Sequence, residues 1–438
     1  IDPHTHTDVQ LLANPKAESK IRQGVTTEIG GNCGYSYFPL SDLTFEEDRK
    51  SAEKEFGVTV DWRDITGFFS RLEQSRVALN YATLLGQGSL RGATLGPYDR
   101  PPKPEEMTRM KQLIRENMDA GALGLSTGLQ YTPGCFADTA ELIELCREVA
   151  ALGGIYATHM RSEEDEVVAA VEETLKTARD TKVSLQISHL KANYPRNWSK
   201  IDQVIALIEH AAQEGVPVSA DRYPYIASST GLSSFFPEWA REGTAADFVK
   251  RLGDPSLASK LTDYLAEEEK KLGSWDKVIL SSILSEKNRP MEGKTVLACA
   301  KDQGKTPFEF MRGILIEEEG AVGMVQFGMS EDNLKKLYAH PLVTVGSDGN
   351  AVAAYGTLSR GKPHPRFYGT FPRYLGKYVR EEKVLPLEEA IRKITSFTAE
   401  KFGLAGRGRI REGFWADLAV FDPDRILDKA AFENPHQY

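Results

Sequence analysis

"TAELIELCREVAALGGIYATHM", residues 139–160, reads as one helix followed by one strand. The first part is amphipathic and closes on Gly153 and Gly154, a helix C-cap signal. "IYATHM" then reads as a short β-strand ending on a histidine. The unit recurs on both sides. Before it, "PEEMTRMKQLIRENMDAG" (104–121) leads into "ALGLSTG" (122–128). After it, "EDEVVAAVEETLKTARDTK" (164–182) leads into "VSLQISHLK" (183–191), and "KIDQVIALIEHAAQEG" (200–215) into "VPVSADRYPY" (216–225).

Alternation of this kind means βα units and a parallel sheet. Counted outward, eight strand ends fall near His6, Cys33, Gln87, Thr127, His159, His189, Asp221 and Asp348. Eight units predict an α/β protein of the (β/α)8 TIM-barrel type rather than an open, doubly wound sheet. No G-x-G-x-x-G follows a strand, and "GKT" at 293–295 and 304–306 lacks the earlier glycine of a phosphate loop. The connection from about 227 to 341 is too long for a simple crossover, so an inserted subdomain is expected at about 236–320. The barrel is expected to occupy residues 1–400. "GRGRIREGFWADLAVFD" (406–422) reads as a turn and then a β-strand, which needs partners to be stable.

Composition limits the function. The 438 residues carry a formal net charge of −9, which offers no general field to nucleic acid or anionic lipid. No apolar run reaches the roughly 18 residues of a membrane span. Cys33, Cys135, Cys146 and Cys299 show no paired spacing, which fits a reducing, cytoplasmic compartment. A small-molecule substrate is the expected partner, and the oligomeric state is left open.

The chemistry lies in where the ligand-type residues fall. Residues i and i+2 of a strand share a face, so His4 and His6 of "IDPHTHTD" (1–8) can hold one ion. Cys33 follows His4 by 29 residues (33 − 4), and His189 follows His159 by 30 (189 − 159), each about one βα unit. Asp348, in "GSDG", ends the last strand. Taken singly, a strand histidine is more often a core residue, Cys33 a small hydrophobe and Asp348 a helix cap. Jointly, four histidines, a cysteine and an aspartate converge on the carboxyl-end rim, where such barrels build active sites. Imidazole, thiolate and carboxylate together suit Zn2+. Asp348 is the preferred general base, with Asp221 the rival one strand earlier.

These residues carry a family likeness. "IDPHTHTD", "GVTTEIGGNCG", "GALGLSTGLQYTPG", "YATHMRSE", "ISHLK", "DRYPY", "VGSDG" and "KPHPRFYGTFPR" span nearly the whole chain. The sequence resembles the amidohydrolase superfamily and, within it, the N-acyl-D-amino-acid deacylases. "GGNCG" is the narrowest signal, because most two-metal relatives use a carboxylated lysine where this group uses cysteine. The resemblance implies a metal-dependent hydrolase of linear amides. It implies one tight zinc on Cys33, His159 and His189, and a second, weaker site of His4, His6 and Asp348. It implies that Lys191, Tyr223 and Arg366 bind a substrate carboxylate, with Tyr131 flanking the pocket. Ser228, Ser229, Ser233 and Ser234 are weaker candidates for lining it. Residues 401–438 are expected to be the remnant of a small β-sandwich whose N-terminal strands are absent here, as if by truncation. The alternatives are a cyclic-amide hydrolase and a non-catalytic barrel serving in assembly. The cysteine ligand and the "PHPR" arginine argue against the first, and retention of all six ligands against the second.

Overall fold

The computed structural model describes residues 1–438. Seven of its eight barrel staves precede one long excursion, and the eighth follows it. β1 is an extended segment, residues 2–6, joined by a parallel bridge from Asp2 to Glu28 of β2 (Thr27–Gly30). β3 runs from Asn80–Thr83 into Leu85–Gly86 and pairs with β2 on one side and β4 (Gly124–Gly128) on the other. β5 (Ile155–His159), β6 (Ser184–Ile187) and β7 (Val218–Arg222) follow in order, all parallel.

The chain then leaves the ring. β8 (Ala227–Gly231), β9 (Val278–Ile283) and β10 (Val322–Phe327) form a separate antiparallel sheet with β10 in the middle. The last stave, β11 (Val343–Val345), pairs with β7, and a bridge from Thr5 to Gly349 closes the ring onto β1. The fold is a (β/α)8 barrel.

The helix at Thr139–Ala151 shows why the units form. Leu142, Leu145, Cys146 and Val149 are buried at helical spacing, and the Asp138 side chain caps the start by accepting from the Glu141 N–H at 2.8 Å. Each leucine so buried contributes about 1.5–3 kcal/mol. Gly153 takes a φ of +73°, ending the helix, and Gly154 brings the chain back into β5. All five residues of β5 are buried, as a strand covered on both faces requires.

The largest cluster of the barrel, 47 buried residues, lies between staves and outer helices, while the excursion has its own cluster of 23. All but Tyr194 of the smaller set fall between Leu232 and Met324, so the excursion folds around its own apolar centre. It begins at β8 and ends at β10, wider than the 236–320 expected.

The tail departs from expectation. The segment 406–422, read above as a turn and strand, forms no strand, and no regular element follows Lys401. A strand needs a ladder partner, and none runs beside this segment. Ile410 and Val420 are 93% and 99% exposed. Later residues are tied to the barrel through the ion pair of Asp428 with Arg373 at 3.1 Å and the packing of Phe432 on Tyr225. All four cysteines are free. No helix is long and apolar enough to cross a membrane.

Candidate metal centre

The ligand-type side chains meet at the carboxyl ends of the staves. Cys33 Sγ lies 3.3 Å from His4 Nε2 and 3.5 Å from His189 Nε2. Asp348 Oδ1 lies 3.0 Å from His6 Nε2 and 3.5 Å from His4 Nε2. His159 packs edge-on against His189, with ring centroids 4.5 Å apart. Ligand atoms around one tetrahedral zinc stand roughly 3.4–3.7 Å apart, so these spacings suit a shared cation. Both His159 ring nitrogens are buried without a hydrogen-bond partner. A buried imidazole left so is costly unless something coordinates it. The donor set fits a metal ion of the zinc type.

Backbone strain places three of these groups. Cys33, His189 and Asp348 have φ of +51°, +35° and +50°. Non-glycine residues there cost on the order of 1–3 kcal/mol each, and such costs gather at functional sites. The "GGNCG" loop reaches its place by close backbone stacking. A Cβ on Gly128 would stand 2.0 Å from the Cys33 carbonyl oxygen, so only glycine fits there.

Two buried carboxylates brace the imidazoles. Asp221 Oδ1 accepts from His4 Nδ1 at 3.0 Å and from the His189 N–H at 2.8 Å, and its Oδ2 accepts from Gln186 at 2.9 Å. With both oxygens engaged, Asp221 orients the ring of ligands. Glu163 Oε1 lies 2.8 Å from His189 Nδ1 and 2.5 Å from Lys191 Nζ. Its Oε2 is 3.9 Å from His159 Nε2. Carboxylates in this position set which ring nitrogen faces a metal. Glu163 was not singled out from the sequence. Its one signal is its place four residues after His159 in "HMRSE", a spacing common without meaning.

The field favours positive charge. Burial alone would lower the imidazoles, but Asp348 and Cys33 raise His6 to about 9, and Glu163 and Cys33 outweigh burial and Lys191 to raise His189 to about 9. Burial would raise the Cys33 thiol, yet His4 and His189 beside it hold it well below its usual range. A cation and a thiolate are what this pocket stabilises.

The other expected residues line the same cavity, of about 1280 Å3. Tyr131 packs edge-on against His159 at 4.9 Å, and its hydroxyl meets Thr230 at 3.3 Å. Arg366 and Lys191 lie 4.7 Å and 5.9 Å from the Tyr223 ring centre. Burial would raise Tyr223, but Lys191, Arg222 and Arg366 bring it below its ordinary value. Lys191 is engaged, held by Glu163 and by the His189 carbonyl at 3.1 Å. Arg366 Nη2 donates to the Ser229 carbonyl at 3.3 Å. Its Nη1 lies 2.8 Å from Asp348 Oδ2, close enough for charge attraction, but is not aligned for a hydrogen bond. Nε also lacks a partner, so two buried guanidinium nitrogens keep donor capacity. Ser228, Ser229, Ser233 and Ser234 line the cavity too.

A closed parallel barrel with such a ring at its carboxyl-end rim defines a metal-dependent hydrolase architecture. Residues 1–435 match the amidohydrolase family, and the chain belongs to it. A D-aminoacylase of Alcaligenes xylosoxydans xylosoxydans is 35% identical over 435 residues, covering 99% of this chain and 79% of that protein. A solved N-acyl-D-glutamate deacylase from Bordetella bronchiseptica is complexed with zinc and a phosphonate mimic of the tetrahedral intermediate. It is 32% identical with a TM-score of 0.82, over 99% of this chain and 81% of that one. A D-aminoacylase structure described for its binuclear metal centre is 32% identical with a TM-score of 0.80, over 100% of this chain and 81% of that one.

Proposed function

We propose that this protein is a zinc-dependent hydrolase of the linear amide bond of N-acyl-D-amino acids, releasing a carboxylic acid and a free D-amino acid. One observation carries the reading. The ligand ring and a buried arginine with two guanidinium nitrogens free of hydrogen bonds, one of them ion-paired with Asp348, face one cavity. The substrate class has an amide to cleave and a carboxylate to anchor. The named activities of the relatives support the same class.

Cys33, His159 and His189 would hold the tighter zinc, and His4, His6 and Asp348 a second, weaker one. When bound, zinc acidifies water near neutral pH and polarises an amide carbonyl. Asp348, between ring and cavity, accepts the proton of the attacking water and returns it to the leaving amine nitrogen. Arg366 meets the substrate carboxylate with its planar fork, leaving Asp348 Oδ2 as it does so. Tyr223 donates its hydroxyl beside it. Lys191 adds its charge while staying braced on Glu163. Tyr131 bounds the pocket next to His159. The test is release of free amino acid from N-acetyl-D-methionine and N-acetyl-L-methionine in parallel by the zinc-loaded protein. Fast release from the D-isomer alone is expected. Equal rates, or none on either, would overturn the proposal.

A further inference from the structure

His364 lies in "KPHPR", two residues before Arg366, and belongs to neither the ligand ring nor the carboxylate anchor. Its side chain is fully buried. Its Nδ1 lies 3.0 Å from the Arg366 backbone N–H, and its Nε2 lies 2.9 Å from the Ala227 carbonyl. A backbone N–H only donates and a carbonyl only accepts. The pair therefore assigns one neutral tautomer, with a lone pair on Nδ1 and the hydrogen on Nε2. Burial, then the Arg366 guanidinium, push its pKa well below the ordinary value, in keeping with that state.

The two bonds join distinct parts of the molecule. Ala227 opens β8, the first strand of the inserted sheet, and two residues on, the Ser229 carbonyl accepts from Arg366 Nη2. His364 thus sets the Arg366 backbone against the same strand that receives the Arg366 side chain. The next residue of β8, Thr230, meets the Tyr131 hydroxyl. Tyr225 and Phe432 stand 5.1 Å and 5.0 Å from the imidazole and hold it edge-on, and Pro363 and Pro365 stiffen the backbone on either side.

We propose that His364 is a positioning residue that holds Arg366 against the cavity wall where a substrate carboxylate is read. The inference rests on the anchor role given to Arg366 above. It makes a specific distinction between two substitutions. Asparagine can place an acceptor where Nδ1 stands, whereas glutamine reaches only the Nε2 position.

The experiment is steady-state kinetics on N-acetyl-D-methionine with zinc-loaded wild type, H364N and H364Q, each with and without R366K. H364Q is expected to raise KM about tenfold, the cost of one well-placed hydrogen bond to an anchoring group. Its kcat stays within about threefold, because the interaction is made with ground state and transition state alike. H364N restores KM to near the wild-type value. In the R366K background H364Q adds less than about twofold, since both changes act on one contact. H364L, which removes both bonds, takes the place of H364Q if that variant does not fold, with the same result expected. A merely structural histidine would lower melting temperature in both variants without separating KM from kcat. An unchanged KM in H364Q, no rescue by H364N, or additive losses with R366K would each overturn the inference. If wild type cleaves no N-acyl amino acid of either hand, the functional reading fails and takes this inference with it. If wild type is active and the H364 pattern is absent, this inference alone fails.

Discussion

The two halves proposed for the ligand ring are built differently. On one side, Cys33, His159 and His189 are all buried, and Glu163 and Asp221 brace His189 through its ring and its backbone. On the other, His4 is fully buried and braced by Asp221, but the His6 side chain is 33% exposed and Asp348 divides its oxygens between His6 and Arg366. The first half is buried and fastened at several points, and it lines the cavity as the second does. The second is more exposed at His6 and has a competing cationic neighbour at Asp348. A fixed, desolvated donor set favours tight metal binding, and a carboxylate poised between ring and cavity favours proton transfer.

Each side of that comparison has a variant that tests it. Cys33→Ala should release the tightly held metal and lower kcat/KM at least about a thousandfold, since the Lewis acid goes with it. Metal analysis after gel filtration reads this, and retained zinc would place the tight site elsewhere. Asp348→Asn should cost about 10²- to 10⁴-fold in kcat while the zinc on the Cys33 side stays bound. Loss of metal together with activity would erase the distinction between the halves. Glu163→Gln should weaken metal affinity about 10- to 100-fold in a chelator competition, because His189 loses its charged brace. An unchanged affinity would reduce Glu163 to holding Lys191. The smallest effect is expected far from both halves. Val420→Thr, on the 99% exposed tail residue, should shift stability by no more than about 0.5 kcal/mol in thermal or urea unfolding. A larger loss would mean that this stretch packs against something in solution.

Much of the ring was legible because barrels put strand ends in a predictable place. Once "IYATHM" and "VSLQISHLK" were read as strands, the positions of His159 and His189 followed from periodicity. The same logic reached His4, His6, Cys33 and Asp348. Glu163 and His364 escaped it. Neither stands at a strand end, and the importance of each comes from atoms distant in sequence: His189 and Lys191 for Glu163, Ala227 for His364. The tail segment forms no strand for a related reason. "WADLAVFD" has β-like composition, but a strand is a pairing between segments, and composition describes only one of them.

Local pattern by itself determined the number of βα units, the excursion between the seventh and eighth, and which side chains reach the rim. Those follow from helical and strand periods, which act over a few residues. Tertiary structure alone decided that Asp221 orients the ring, that Lys191 is held by Glu163, and that Arg366 faces Asp348. It also decided the left-handed backbone at Cys33, His189 and Asp348. Such features are set by hydrogen bonds and charges between strands far apart in the chain. Their strength depends on distance and burial, and both exist only once the barrel has closed.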